Sequence, residues 1–443
     1  MKKVNYILLS AGLMISLFGC KPNLKETVIT NGDADFTRYV AIGNSLTAGY
    51  SDAALSKDGQ TNSYPNMLAT QFKMAGGGEF KIPYMNAGAG SDASGNPRRI
   101  LGYVVPCGST VPTLSPVFDP AGATPINNVA AGGPYNLVGV PGARAIDANF
   151  SLYSSFNPFL QRYAQTPGTS TMLTEALRIN PTFFTLWLGS NDVLLYALGG
   201  AVFSASPLVP QISDPISVQN ALTQMVDTLT KNGAKGAIAN VPDITSIPYF
   251  TTVPWNGAVL TQGKADTLNA AYAGLGLTNI TWIAGANGFM IVDSTAPGNM
   301  RHATANDYIL LTTPGDSLRC GLWGVSPAKP LKDQFVLDAT EALAIATATN
   351  QYNNTIASLA TTYHLALVDI NALLKNFKSG VTYNGISLSS TFVSGGTFSL
   401  DGVHPNPRGY AIVANEFIRS INRTYNASIP LVNPVQFDGV IFP

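Results

Sequence analysis

The apolar positions of this chain fall into short continuous runs that alternate with stretches of helical period. Residues 39–42, Tyr-Val-Ala-Ile, form a β-like run that stops at Gly43. Leu68, Phe72 and Ala75 follow at i, i+4 and i+7, with Pro65 suited to a first turn and the glycines at 76–78 as a stop, which predicts a helix. Leu173, Ala176 and Leu177 mark another helix that ends before Pro181, and residues 183–188 then read as a buried strand running into Gly189. Val218, Leu222, Met225 and Leu229 repeat the helical spacing ahead of a strand at 237–239. A long helical stretch from about 333 to 363 leads into a strand run at 365–370, and Tyr410, Val413, Phe417 and Ile421 share one face of the last helix.

Strands alternating with helices predict an α/β fold in which helices cover both faces of a parallel sheet. Ligands of such sheets bind beyond the carboxyl ends of the strands, where Gly43 and Gly189 fall. Two stretches break the rhythm. Residues 79–135 and 243–330 are rich in Gly, Pro, Ser, Thr and Asn without a sustained period. Structureless loops of that length are uncommon in a compact domain. Both are expected to be insertions, with short elements of their own, that cover or shape the site.

The N-terminus reads as an address. Lys2 and Lys3 precede a nearly continuous apolar stretch at 4–18, which is short for a membrane span. Leu17-Phe18-Gly19-Cys20 resembles a bacterial lipobox, which would remove residues 1–19 as a lipoprotein signal peptide and lipidate Cys20; an ordinary signal peptide is the alternative. The expectation is an extracytoplasmic protein held to a bacterial membrane through Cys20. Residues 20–35 would then be a tether, 36–425 the main domain with its two insertions, and 426–443 a C-terminal tail. Export leaves Cys107 and Cys320 as an even pair in an oxidising compartment. A disulfide between them would staple one insertion to the other; the alternative is two buried, inert thiols.

Composition mainly excludes. Lys plus Arg and Asp plus Glu are both 25, so there is no basic field to gather nucleic acid. Three scattered histidines and no cysteine cluster offer no metal ligand set. Gly88-Ala89-Gly90 lacks the spacing of a dinucleotide loop, and no cofactor is expected. His302 and His364 read as structural.

Four segments could carry chemistry. In Asp401-Gly402-Val403-His404 a carboxylate three residues before an imidazole can reach its Nδ1 and leave Nε2 free to take a proton. Gly43-Asn44-Ser45-Leu46 puts a serine at the mouth of the sheet, and Gly189-Ser190-Asn191-Asp192 puts an amide donor at a second strand end. Asn136-Leu137-Val138-Gly139-Val140-Pro141-Gly142-Ala143 can bring a backbone N–H to the same point. Singly, each has a plain explanation as a cap or a turn.

Together, in this order and each at a strand end, the segments resemble the conserved blocks of the SGNH/GDSL hydrolases, across residues from about 36 to 425. The resemblance implies a three-layer α/β/α sandwich with a central parallel sheet, the flavodoxin-like fold of that family. It implies Ser45 as nucleophile, Asp401 and His404 as its partners, and an oxyanion hole from Gly142, Asn191 and the Ser45 N–H. The activity implied is hydrolysis of a small-molecule, glycan or lipid ester, with acetylated carbohydrate and lipid esters as the two substrate classes. The alternative from another class is a surface lipoprotein that binds glycan or lipid without turnover. This chain departs from the family pattern in having Asn44 where an aspartate usually precedes the serine. Gly139 competes with Gly142, and Ser45 and Gly142 are spaced widely. The Gly-x-Ser-x-Gly of α/β-hydrolases is absent, since Leu46-Thr47 follows Ser45.

Overall fold

The four apolar runs read as strands and a short fifth strand at Leu137–Gly139 form one sheet. Its members are β1 (Tyr39–Gly43), β2 (Leu137–Gly139), β3 (Phe183–Trp187), β4 (Lys235–Ala239) and β5 (Ala366–Val368). Every pairing is parallel, and the order across the sheet is β5-β4-β3-β1-β2. That is the flavodoxin-like order, whose switch point lies between β1 and β3. Ile42 pairs with Val138 on one side and Leu186 on the other, and every residue of β1 and β3 is buried. Strands covered on both faces need no polar side, which is why they read as unbroken apolar runs. The computed structural model describes residues 28–202, 210–383 and 385–443. The expected signal peptide and Cys20 lie outside the described residues.

The helices that place the site are α1 (Tyr64–Met74), α2 (Met172–Leu177), α3 (Asn191–Leu198), α4 (Pro215–Thr230), α5 (Ala339–Thr362), α6 (Ile370–Ser379) and α7 (Pro407–Tyr425). α1 and α7 meet where Tyr64 stacks on Phe417 with ring centroids 4.7 Å apart, and Trp187 presents its edge to Tyr64. Phe36, Phe72 and Phe183 interlock beside them; aromatic pairs of this kind contribute about 0.5–1.5 kcal/mol each beyond the area they bury. Residues alternate along a strand, so Phe184 and Leu186 point to the opposite face. α5 packs on α4 and along β4 and β5. The product is an α/β sandwich.

Two boundaries differ from the sequence expectation. The long helix begins at Ala339 and not near 333, because residues 336–337 pair as a strand with Tyr308–Ile309. Asp338 then accepts a hydrogen bond from Glu341 N while Glu341 accepts one from Asp338 N. That reciprocal cap fixes the start. The run at 365–370 divides into β5 and α6, whose Ile370, Leu373, Leu374 and Phe377 share a buried face.

The insertions do have elements of their own. The first carries a hairpin, Arg99–Val104 against Thr113–Phe118. The second builds a separate small core around Tyr272, Trp282, Phe289 and Met290. Its longest helix, Gln262–Gly274, buries only Ala265 and Tyr272 and so has no apolar stripe to read. Cys107, beyond the first hairpin strand, is disulfide-bonded to Cys320, with Cα atoms 6.2 Å apart. Both residues are exposed.

The expected tether is fixed to the fold from residue 28 onward. Thr30 N donates to Ser428 Oγ, Asp33 N donates to the Tyr425 carbonyl, and Ala34 and Phe36 are buried. The tail is held in the same way. Asn415 on α7 donates to the Val432 carbonyl and accepts from Val432 N, and Ile429 is buried.

Candidate active site

β1 ends in Gly43, where a Cβ would lie 2.0 Å from Thr47 Oγ1 and 2.6 Å from the Trp187 carbonyl. Only glycine lets the chain turn that tightly into the short helix Ser45–Ala48. Asn44 caps this helix, its Oδ1 accepting from Leu46 N at 3.0 Å. An amide caps as well as a carboxylate does, so the departure from the family's aspartate leaves the turn intact. Ser45 is the first helical residue, and its N–H is among the donors that a helix start leaves without an intrahelical partner.

The loop before α7 supplies the other half. Asp401 and His404 lie ahead of Asn406, which caps α7 by accepting from Gly409 N at 2.9 Å. His404 Nδ1 lies 2.9 Å from Asp401 Oδ2, and His404 Nε2 lies 2.8 Å from Ser45 Oγ. An ionised Asp401 accepts only, so Nδ1 carries the ring proton and Nε2 accepts from the Ser45 hydroxyl. Five donors converge on the Asp401 carboxylate. Oδ1 takes Ser399 Oγ at 3.0 Å and the N–H groups of Val403 and His404 at 2.8 Å; Oδ2 takes Ala53 N at 2.9 Å besides the ring. Burial pushes this carboxyl up, but the His404 charge and the hydrogen bonds from His404 and Val403 outweigh it and hold it down at about 2. The set can pass a proton from Ser45 to His404 while Asp401 stays charged.

Gly142 and Asn191 face the same cleft as Ser45 and His404. Asn191 opens α3 directly after β3, and its Nδ2 donates to the Ala143 carbonyl at 2.9 Å. An amide nitrogen has two hydrogens, so one ties Asn191 to the Gly142-Ala143 turn and one is left for a ligand. Asp192 grips the same turn, accepting from Ala145 N at 2.6 Å. Gly139 is not in the cleft. It pairs with Gly43 inside the sheet, and a Cβ there would lie 2.4 Å from Ala48 N. Of the two glycines, Gly142 is therefore the one that shares the cleft with Ser45.

The remaining sequence candidates are elsewhere. His302 places its ring nitrogens against the Gly288 and Thr281 carbonyls in the second insertion, and His364 adopts a left-handed conformation just past α5. The two insertions wall the cleft, whose volume is about 1050 Å³. Arg99 and Pro116 come from the hairpin, and Tyr249, Leu311 and Pro314 from the second insertion, with the disulfide joining the two walls.

Sequence reasoning missed the Asp52-Ala53 turn. Both residues are left-handed, at φ 55° and 65°, a conformation that costs non-glycine residues of order 1–3 kcal/mol and persists only where the surroundings enforce it. Here Ala53 N is aimed at Asp401, Asp52 N donates to Ser399 Oγ, and Asp52 Oδ1 accepts from Leu400 N. Burial pushes the Asp52 carboxyl up to about 6, opposed by the Leu400 N–H and reinforced by the Asp401 charge. Tyr50 was also missed; its ring lies against His404 with centroids 4.8 Å apart. No motif marks these residues, because the turn acts through its backbone donors and Tyr50 through a ring contact, and neither leaves a spacing to read in the sequence.

The family model for GDSL-like lipase/acylhydrolase matches residues 39–417. No curated protein matches the sequence. Among solved structures, the chain is similar at 11% identity to LAE5, an alpha/beta hydrolase enzyme from the metagenome of Lake Arreo, Spain, with 88% of this chain and 96% of that one covered and a TM-score of 0.35. It is similar, also at 11% identity, to an extracellular lipase from Streptomyces rimosus, with 88% and 99% covered and a TM-score of 0.31. Likenesses that distant carry no argument about the site.

Proposed function

The chain belongs to the GDSL-like lipase/acylhydrolase family and is an ester hydrolase, and from that premise we propose that it cleaves carboxylic esters through an acyl-enzyme on Ser45. The observation that carries this reading is the continuous line from Asp401 through His404 to Ser45, with contacts of 2.9 and 2.8 Å. His404 takes the Ser45 proton as Ser45 Oγ bonds to the ester carbonyl carbon. The oxyanion that forms is met by the Ser45 and Gly142 N–H groups and the Asn191 amide. His404 returns the proton to the departing alcohol. Water then enters, gives its proton to His404 and attacks the acyl-enzyme, and the acid leaves as Ser45 regains its hydrogen. The substrate is an ester of a carbohydrate, another small molecule or a lipid.

Two expected outcomes test the supporting parts. Asn191→Ala should lower kcat by about 10² to 10³ with a smaller change in KM, because the lost donor acts on charge that develops in the transition state. Steady-state kinetics on p-nitrophenyl acetate, with a thermal melt to show the α3 turn intact, checks this; an unchanged kcat removes Asn191 from the hole. The second outcome concerns pH. Asp401, held at about 2, keeps its charge through ordinary acid conditions. The acid-side fall in kcat/KM should therefore follow a single proton taken up by the base, with a limiting slope of one. A limiting slope of two would instead show that Asp401 takes up a proton as well.

A further inference from the structure

Next to the cleft lies a second, much smaller cavity of about 40 Å³. Ser45, Asn191, Leu194, Val403 and His404 line both spaces, so the slot adjoins the cleft at the reacting groups themselves. Its walls are carbon: Ile244 and Ile247 from the loop after β4, Ile370, Leu374 and Phe377 from the buried face of α6, and Phe398 from the strand-like segment before Asp401. Those six side chains are all at most 8% exposed and belong to the main core. The slot cannot widen without moving α6.

Size and polarity limit what it can take. At about 40 Å³ against about 1050 Å³ for the cleft, the slot is the smaller space by far. Asn44, Trp187 and Ser190 also line it, and Asn44 Nδ2, Trp187 Nε1 and Ser190 Oγ are buried without a hydrogen-bond partner. A long alkyl chain would have to force the packed walls apart and seal those three polar atoms against carbon, and both are unfavourable. An acetyl or propionyl group asks for less of both. The cleft above is more than twenty times larger and is bordered by Asp92, Arg99 and Thr312 as well as by apolar side chains. It suits the bulky, polar partner of the ester.

Resting on the reading of Ser45 as the nucleophile, we infer that the slot is the acyl pocket and the cleft the alcohol site, so that the enzyme removes short acyl groups of acetyl size from large alcohols. Ile247 and Leu374 then set the chain length. The test measures kcat/KM on p-nitrophenyl acetate, butyrate, hexanoate and octanoate for the wild type, Leu374→Ala and the milder Ile247→Val, each checked by thermal melt. The wild type should favour acetate over octanoate by at least about 10²-fold, since each methylene group that the slot cannot hold costs roughly tenfold or more. Leu374→Ala should raise the hexanoate-to-acetate ratio about tenfold, and Ile247→Val the butyrate-to-acetate ratio by a few fold. Ser45-dependent hydrolysis that increases with chain length in the wild type, or variants that change all four esters in parallel, would overturn the assignment of the slot while leaving the esterase reading standing. Failure to hydrolyse any of the esters would overturn the esterase reading itself.

Discussion

Ser45→Ala should abolish ester hydrolysis, lowering kcat on the order of 10⁶-fold, the loss seen when a triad serine is removed. Its hydroxyl makes one hydrogen bond in the structure, to His404, and supports no part of the core. The substitution therefore deletes the attacking atom and little else, and the fold should be kept. A fluorophosphonate probe gives the direct readout. It should add one phosphonyl group per wild-type chain, mapped to Ser45 by peptide mass spectrometry, and none to the variant. Persistent labelling at another serine, or turnover that stays near the wild-type rate after the substitution, would refute Ser45 as nucleophile. A small residual rate is compatible with the scheme, because an oxyanion hole and binding alone still accelerate attack by water.

Asp401→Asn should lower kcat by about 10⁴-fold while KM changes far less. The carboxylate accepts from five donors, and an amide can present one acceptor oxygen to only one side of that group. If the amide nitrogen faces His404, the ring must carry its proton on Nε2, where it can no longer accept from Ser45. If it faces the loop instead, the Val403 and His404 N–H groups lose their acceptor. The second consequence is for stability. Asp401 has a folded-state pKa of about 2 against an ordinary 3.8. Its charge therefore stabilises the fold at pH values above the ordinary carboxylate range, and that contribution is lost as pH falls through about 2. The asparagine lacks it at every pH, so the variant's melting temperature should lie below the wild type's at neutral pH and approach it in strong acid. Kinetics and thermal melts on the same preparation check both parts. Wild-type kcat in a folded Asp401→Asn protein would remove Asp401 from the mechanism.

The sheet was legible because β1, β3 and β4 are buried on both faces and leave unbroken apolar runs flanked by glycine. α1, α4 and α7 were legible because each buries one face and repeats its apolar residues at helical spacing. The helix Gln262–Gly274 has no such face, since the small core of the second insertion takes only two of its side chains. α6 did carry the pattern, in Ile370, Leu373, Leu374 and Phe377, and was obscured by the strand run that leads into it. The start of α5 was displaced by a cap at Asp338 that works only once residues 336–337 have paired with a distant strand.

The serine seen first as a residue in a strand-to-helix turn shows where the two kinds of information divide. The sequence by itself determined which groups are present and in what order, with Ser45, Gly142, Asn191, Asp401 and His404 each at a strand or helix end. Chain connectivity sets those local positions, since strand ends and caps depend on neighbours a few residues away. Packing between distant segments settles that Gly142 and not Gly139 lines the cleft with Ser45, that the Asp52-Ala53 turn presses a backbone donor onto Asp401, and that a small, mostly apolar slot adjoins the serine. Each of these is a distance between segments far apart in the chain. Such distances are set by packing across the sheet, to which no local spacing of residues corresponds.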